Sequence, residues 1–458
     1  MTKQKHSLGE EDIRKLVWRL SVPSVVAMMA NALYNVVDRI FIGKGVNEIA
    51  IGGVYVVMPL MFLSMAFSQL FGVGGNTLMS ISLGAKNQEK AEEFINTSLS
   101  LLLIMGFVLP LLGYYFRDSL LGYFGTTAEN YGYAKDYFGI ILFGAPCAIV
   151  GMGLNNFIRG MGDAKTAMLS ILIGIFTNIF LDYLFIMKWN WGVKGAAFAT
   201  IISQLISCTW ILSYFFRKKA LVQIHFEKMK LRLKTIIQIT ENGMAIFLIQ
   251  VANSLVVGIM NNQLKTFGGT LAISAMSIVS SVSSFVFMPI FGINQGIQPI
   301  LGYNYGAKKY NRIKETYFTG ALIATSIMVM GFLIIMIFPE QLTSLFVKDN
   351  SDSKLLEYLL PGIRTQAIAY PLLGFAITGT AFFQAVRRPR TAMITSLLRQ
   401  VIVLIPLILV LPRVFGVMGV WYSFVFSDII STCVTIFFLR RVFRHVKEDC
   451  RSERNLLE

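Results

Sequence analysis

Residues 94–116, FINTSLSLLLIMGFVLPLLGYYF, form an apolar stretch without a single charged side chain. A helix of about 20 such residues crosses the hydrocarbon core of a bilayer. Stretches of this kind recur along all 458 residues, of which 55% are hydrophobic and 14% are charged. Since soluble domains usually carry about 25% charged residues, the composition argues against a large water-soluble enzyme. It predicts a helical membrane protein with many spans.

Twelve spans are predicted from apolar runs separated by charged residues or by clusters of Gly and Pro. They lie near residues 17–42, 50–75, 94–116, 134–158, 166–187, 195–216, 236–262, 270–297, 316–338, 358–386, 391–411 and 417–439. The predicted parts are an N-terminal tail (1–16), a first lobe (17–216), a linker (217–235), a second lobe (236–440) and a C-terminal tail (441–458). This is an all-α integral membrane fold of two pseudo-symmetric six-helix lobes around a central cavity.

The basic residues predict the orientation of the chain. Lys and Arg number 41 against 25 Asp and Glu, which gives a formal net charge of +16. With the N-terminus inside, most of these basic residues fall on tails and loops of that side, where short cytoplasmic loops are enriched in them. Both termini are therefore predicted to be cytoplasmic, with a basic rim that faces anionic lipid. The aromatic residues lie in the spans, which argues against a nucleic-acid partner.

An internal duplication supports the two-lobe arrangement. The loop Ser82–Lys86 (SLGAK) is echoed by Asn304–Lys308 (NYGAK), and Gly192–Gly195 (GVKG) recurs as Gly416–Gly419 (GVMG). Each half holds six spans, an even number, so both copies enter the membrane in the same sense. Such a parallel repeat places a cavity between the halves and suits alternating access by rocking. Common ancestry of the halves would account for the matched glycines equally well.

Few ionisable residues lie inside the predicted spans, and those that stand out are Asp38, Asp182, Arg399 and Asp428; others, such as Glu241 and Arg364, lie near span ends, where they can reach the interface. Each costs about 2.5–3.5 kcal/mol on insertion scales, so such residues mark functional sites by default. Asp38 ends a polar stripe on one face of span 1, at spacings of i, i+3, i+4 and i+7. The stripe consists of Asn31, Tyr34, Asn35 and Asp38.

Spans 5 and 6 carry matching polar groups. Asn178 lies one turn before Asp182, and Ala196 lies one turn before Thr200. Asp182, Thr200 and Asp38 are predicted at similar depth, in the outer half of the first lobe. Two carboxyl groups in a poorly hydrated pocket cannot both stay ionised cheaply, so the pair is expected to hold a proton or a monovalent cation. The alternative is that each acid only caps a buried amide or backbone group.

The second lobe lacks these acids. The positions that match Asp38, Asp182 and Thr200 are Met260, Leu407 and Phe424. Arg399 and Asp428 are predicted to form a structural ion pair between spans 11 and 12, because burial makes pairing necessary. A second coupling site is the alternative.

Other motifs are absent or generic. The chain has no G-x-x-x-x-G-K-[ST] loop, which disfavours ATP hydrolysis, and its four cysteines form no C-x-x-C pair, which leaves no support for a cysteine metal site. We expect no enzymatic activity and no cofactor apart from a coupling ion.

Pro23, fifteen residues before Asp38, is a candidate hinge of span 1, since proline removes a helix hydrogen bond. The alternative is that it is an ordinary proline of a membrane helix.

The ordered motifs resemble the multidrug and toxic compound extrusion (MATE) family of secondary transporters over nearly the whole chain. They are Pro23 and Asp38, Leu83–Lys86, Asn156–Asp163, Asn178 and Asp182, Gly192–Ala197, and Gly416–Trp421. The resemblance implies that Asp38, Asn178, Asp182 and Thr200 form the first-lobe cation site of the prokaryotic DinF-type branch, with Pro23 at a bend of span 1. It also implies cavity-lining roles for Tyr34 and Asn155. The acid that the NorM-type branch carries in span 7 is missing here.

We therefore expect an exporter of amphipathic or cationic compounds in a prokaryotic plasma membrane, driven by exchange for H⁺ or Na⁺. Any bound Na⁺ would lie among Asp38, Asn178, Asp182, Thr200 and Ala196, and no other metal is expected. The expected partners are small-molecule substrates and membrane lipids, and the expected state is a monomer. The alternatives are a flippase for a lipid-linked oligosaccharide, and a channel or scaffold without a coupled cycle.

Overall fold

The computed structural model describes residues 8–46, 48–124, 126, 129–216, 220–225, 227, 229, 231–344 and 353–452. The side chains of some of these residues, Asn35 among them, lie outside the description. Eleven helices in the described chain are long and apolar enough to cross a bilayer, and a bent pair of helices makes a twelfth span. The predicted all-α membrane fold with twelve spans is confirmed.

The first lobe consists of six spans. They are span 1 (Ile13–Gly45), span 2 (Glu48–Gly84), span 3 (Gln88–Tyr115), span 4 (Tyr131–Gly160), span 5 (Ala164–Asp182, continued by the π-helical segment Tyr183–Lys188) and span 6 (Gly192–Phe216). A short helix, Arg117–Tyr123, joins spans 3 and 4. Span 1 begins four residues before the predicted start of the lobe.

The second lobe repeats the arrangement. It consists of span 7 (Leu233–Gly269), span 8 (Leu271–Gly306), span 9 (Tyr310–Ile337), span 10 (Ser353–Ala367 and Tyr370–Ala385), span 11 (Pro389–Phe415) and span 12 (Val417–Ser452). Both ends of the described chain therefore lie on one membrane face, which we call the terminal face; the opposite one is the far face. Span 12 continues beyond residue 440, where the C-terminal tail was expected.

Side-chain caps set the start of several spans. Asp12 accepts a hydrogen bond from the Lys15 amide and Asn87 accepts one from the Lys90 amide. Asp163 accepts from both the backbone amide and the hydroxyl of Thr166. These bonds satisfy amides that the first helical turn leaves without a partner. Each capped start lies on the terminal face, where polar residues interrupt the apolar runs.

Span 10 differs from the prediction of one continuous helix near 358–386. Its two helices meet at an angle of 55° between Ala367 and Tyr370. Pro371 lies in the first turn of the second helix, and a proline both lacks an amide hydrogen and collides with the carbonyl four residues earlier. The helix therefore breaks in the middle of the span.

The two lobes meet at the terminal face through the duplicated loop motif. A Cβ atom on Gly84 of span 2 would overlap the Tyr303 carbonyl oxygen of span 8, and one on Gly306 of span 8 would overlap the Ile81 carbonyl oxygen of span 2. The residues Lys86 and Lys308, which follow these glycines, both adopt a left-handed conformation, with φ of 59° and 56°. The matched glycines thus let the two backbones approach closely, and the two lobes use the motif in the same way.

Candidate ion-coupling site in the first lobe

Asp38 of span 1 and Asp182 of span 5 face each other. Asp182 is fully buried and Asp38 is half-buried, and the two side chains lie close enough to interact directly. An ionised carboxylate can only accept hydrogen bonds, so two carboxyl groups can bond to each other only when one of them carries a proton. A cation between them would have the same effect. The geometry therefore calls for one positive charge at this pair.

Asn178 fixes the orientation of Asp182. In the amide orientation that satisfies both neighbours, its nitrogen donates to Asp182 Oδ2 at 2.9 Å and its oxygen accepts from the Thr200 backbone amide at 3.2 Å. The amide is buried and so joins span 5 to span 6 in a place that water does not reach. This arrangement explains why an asparagine precedes the acid by one turn.

Span 6 completes the wall of the site. Thr200 Oγ1 donates to the Ala196 carbonyl at 3.0 Å, and both residues are buried. The side chains of Tyr34 and Tyr137 both interact with Thr200, and both lie close enough to Asp38 to feel its charge. Oxygen atoms from four spans therefore converge on the two acids.

Tyr137 of span 4 was not among the predicted site residues. It is buried and lies in the apolar cluster that surrounds the acids, together with Ile42, Ile186 and Ala197. The depth comparison that linked Asp38, Asp182 and Thr200 would have found it, because Tyr137 also lies close to the far-face end of its span. The apolar neighbours lower the local polarity beside the acids, which strengthens the electrostatic interactions of the site.

The donor atoms suit a proton or a hard monovalent cation. Carboxylate, amide, hydroxyl and carbonyl oxygens are the ligands that hard cations prefer. Among the described residues, no group of three or more His, Cys, Asp or Glu side chains could hold a metal ion. The positions that match this site in the second lobe are apolar, with Met260 buried and Phe424 packed against the same core.

Three predicted residues lie apart from the acids or outside the description. Asn31 is half-buried on span 1, two turns before Asp38, and the side chain of Asn35 is not among those described. Asn155 is buried, and its amide nitrogen donates to the Ala167 carbonyl at 2.9 Å and to Ser170 Oγ at 2.7 Å; its cavity-lining role stays a prediction. It joins span 4 to span 5 near the terminal face.

The structure places Pro23 within the continuous helix of span 1, near the contacts between the lobes. Cβ atoms on Gly292 and Gly296 of span 8 would overlap the backbone of Val25 and Ser21. Span 1 therefore carries an acid of the site at one end and a lobe-to-lobe contact at the other, with Pro23 between Ser21 and Val25.

Arg159 is a functional candidate that the sequence analysis missed. It is buried at the terminal-face end of span 4, where its guanidinium donates to Gln295 of span 8 and, at 3.2 Å, to Asn156 Oδ1. The residue therefore links the two lobes. Because it directly follows the predicted end of span 4, it counted as an ordinary loop charge in the sequence.

In the second lobe, Arg399 Nε donates to Asp428 Oδ1 at 2.7 Å. This is the contact expected of a structural ion pair between spans 11 and 12. Asp428 is buried, and Thr432 Oγ1 donates to its backbone carbonyl at 2.7 Å. The first lobe thus holds a pair of acids, and the second lobe holds an acid beside a base.

Two six-helix lobes with a buried polar site and a close contact on one membrane face are the architecture of a membrane transporter built from two repeats. The model of the MatE family matches residues 23–184 and 244–410. The chain therefore belongs to the MATE family of membrane transporters and is not an enzyme.

Relatives and solved structures agree with this assignment. The chain is 27% identical to the multidrug export protein MepA of Staphylococcus haemolyticus (strain JCSC1435), over 97% of each chain. It is similar to a multidrug resistance MATE family transporter of the MOP superfamily solved in an outward-facing conformation, with a TM-score of 0.91, 25% identity and coverage of 98% and 99%. A MOP superfamily transporter from Pyrococcus furiosus matches with a TM-score of 0.92, 25% identity and the same coverage.

Proposed function

We propose that this protein exports amphipathic organic cations in exchange for H⁺ or Na⁺, with the Asp38–Asp182 pair as the coupling site. The observation that carries the proposal is the contact between these two acids in a site walled by Tyr137, Asn178 and Thr200. The two acids need one positive charge, which a bound H⁺ or Na⁺ can supply. A cationic substrate that binds nearby raises the local positive potential and so favours release of that ion.

Span 1 supplies the mechanical connection. Uptake of an ion at Asp38 removes a negative charge from one end of a helix whose other end packs against span 8. A ligand shifts a conformational equilibrium only by binding one state more tightly than the other. In the proposed cycle, the ion favours the packing of span 1 that has low drug affinity, and Pro23 lets the two halves of the helix move separately.

The names of the relatives support the substrate class. The staphylococcal relative is called a multidrug export protein, and the family match covers both lobes. With the basic terminal face in the cytoplasm of a prokaryotic cell, the proposed direction of transport is outward across the plasma membrane. The proposed unit is a monomer, since each chain supplies both lobes of the cavity.

The test is export of a fluorescent organic cation from proteoliposomes, with pH and sodium gradients imposed separately. The wild-type protein should accelerate export under one of the two gradients, and Asp38→Asn should abolish that acceleration. Flux that ignores both gradients would point to a channel and contradict the proposal. Export by Asp38→Asn at the wild-type rate would contradict the assignment of the site.

Asp118→Asn is a matched control. Asp118 lies in the short helix Arg117–Tyr123 outside the spans, where the Tyr131 hydroxyl donates to it at 2.7 Å and Lys135 lies 3.4 Å away. The Tyr131 hydrogen bond, assisted by Lys135, lowers the pKa of this carboxyl below its ordinary value. It therefore stays ionised across the working range, and its loss should leave coupled export intact.

A further inference from the structure

Two irregular helical segments meet in the middle of the second lobe. Span 10 is broken between Ala367 and Tyr370, and span 11 is π-helical over Leu398–Val403. Broken helices in transporters flank substrate or ion sites, and π-helical turns occur frequently at functional sites. The side chain of Tyr370 interacts electrostatically with both Arg399 and Asp428, so both irregular segments border the Arg399–Asp428 pair.

The guanidinium of Arg399 is only partly used by the protein. Its Nε donates to Asp428 Oδ1 at 2.7 Å, and the Arg399 side chain is 30% exposed whereas that of Asp428 is 7% exposed. In the described part of the chain, no protein acceptor engages its two terminal nitrogens. Asp428 therefore holds the guanidinium in place and leaves its outer edge available for a ligand.

This exposed edge lies near the middle of the membrane. Arg399 follows the start of span 11 at Pro389 by about 15 Å of helix, and Asp428 follows the start of span 12 at Val417 by about 17 Å. A partly exposed guanidinium at that depth is strongly disfavoured in lipid, so it faces a water-filled space or a partner group. The depth therefore assigns this face of span 11 to the cavity.

Gln400, the residue after Arg399, also indicates that this face of span 11 lines the cavity. Gln400 Nε2 donates to Asn253 Oδ1 of span 7 at 2.8 Å, and Asn253 is exposed although it lies within a span. Together with Arg399, these amides form a polar strip on the wall of the second lobe. Polar side chains are disfavoured on surfaces that face lipid, so this strip of spans 7 and 11 is better placed facing the cavity.

We infer that Arg399 binds the carboxylate group of an amphipathic substrate in a second-lobe subsite. This inference rests on the proposed function and gives it a preference for compounds that carry both a cationic and a carboxylate group. The planar guanidinium matches a carboxylate with two parallel hydrogen bonds. A single guanidinium whose charge Asp428 already offsets suits a singly charged carboxylate better than a doubly charged phosphate. In the first lobe, the cationic group of the substrate would compete with the coupling ion. In the second lobe, Arg399 would bind the carboxylate of the substrate.

The probe pair is rhodamine 110, which has a free carboxyl group, and rhodamine 123, which is its methyl ester. The wild-type protein in proteoliposomes should export the acid with a KM about tenfold below that of the ester, as expected for loss of one charge-assisted interaction. The double variant Arg399→Gln/Asp428→Asn removes both charges without leaving one buried and unpaired. It should abolish this preference, whereas Arg413→Gln, at an exposed arginine near the far-face end of span 11, should preserve it.

Equal KM values for the two probes in the wild type, or the same preference in the double variant, would overturn the inference. A second measurement detects binding of the probes directly and does not depend on transport activity. Rhodamine 110, and not rhodamine 123, should raise the thermal unfolding midpoint of the purified wild-type protein and of Arg413→Gln, but not that of the double variant. If the wild type exports neither probe under either gradient, the proposed function is wrong, and this thermal comparison still decides whether the subsite exists.

Discussion

Asn178 donates its amide hydrogen to Asp182 Oδ2 from one helical turn away and accepts the Thr200 backbone amide with its oxygen. One buried side chain thus orients the acid of span 5 and ties that span to span 6. Orientation matters because a coupling site must bind its ion in one conformation more tightly than in the other.

Asn178→Ala should shift the ion dependence of export without abolishing coupling. The lost hydrogen bond to a charged group is worth about 1.5–3 kcal/mol, and it favours the ionised form of Asp182 over the protonated form. With H⁺ as the coupling ion, the concentration that gives half-maximal export should therefore fall by at least about tenfold, whereas with Na⁺ it should rise by a similar factor because Asp182 is no longer held in place. The measurement is drug export against ion concentration in proteoliposomes. Asn311→Ala, at an exposed position of span 9, is the control, and an unchanged ion dependence in Asn178→Ala would contradict this role.

Tyr137→Phe tests the site residue that the sequence analysis overlooked. Removal of a hydroxyl that interacts with Thr200 should slow coupled export by about two- to tenfold, the range of one neutral hydrogen bond. Tyr123→Phe is the matched control, because Tyr123 is 85% exposed. Equal export rates for the two variants would remove Tyr137 from the site.

Gly84→Ala should prevent the lobes from closing at the terminal face. The added methyl group would overlap the Tyr303 carbonyl oxygen, and backbone atoms cannot move aside as a flexible side chain does. Spin labels at the exposed positions Glu89 and Lys314 should report a longer distance than in the parent protein. Gly132→Ala, where a Cβ meets nothing within 4 Å, should keep the parent distance; a short distance in both variants would contradict the close-contact role.

Arg159→Gln should also favour opening at the terminal face. The variant loses the charged bonds to Gln295 and Asn156, and one such bond is worth about 1.5–3 kcal/mol. The same two labels should show an open fraction that rises by about tenfold or more, whereas Arg390→Gln at an exposed position should show no change. An unchanged distribution in Arg159→Gln would mean that this contact does not stabilise the closed face.

The sequence predicted the twelve spans and the repeat because their signals are local. A membrane-spanning helix needs a long apolar run, and a duplicated loop is visible as repeated letters. The break in span 10 could not be predicted in this way. Pro371 causes it, whereas Pro59 and Pro110 lie inside continuous helices, so the presence of a proline does not distinguish a break from a tolerated kink.

The sequence predicts the acids of the candidate site because a charged side chain inside a membrane span is costly and therefore conspicuous. Asp38 and Asp182 stand out for that reason, and Asn178 and Thr200 follow from helical spacing and depth. Asn155 entered the prediction only through the family resemblance, and its bonds to Ala167 and Ser170 depend on how spans 4 and 5 pack. Tyr137 was overlooked because aromatic residues are common in spans, and Arg159 because it lies at a span end.

Ion release on drug binding is the most direct test of the coupling claim. Purified protein in a weakly buffered detergent solution is titrated with an organic cation while a pH indicator and a sodium electrode record the released ion. The wild type should release about one H⁺ or one Na⁺ per bound drug, and Asp182→Asn should bind the drug with no release. No release from the wild type at saturating drug, or the same release from Asp182→Asn, would contradict the account.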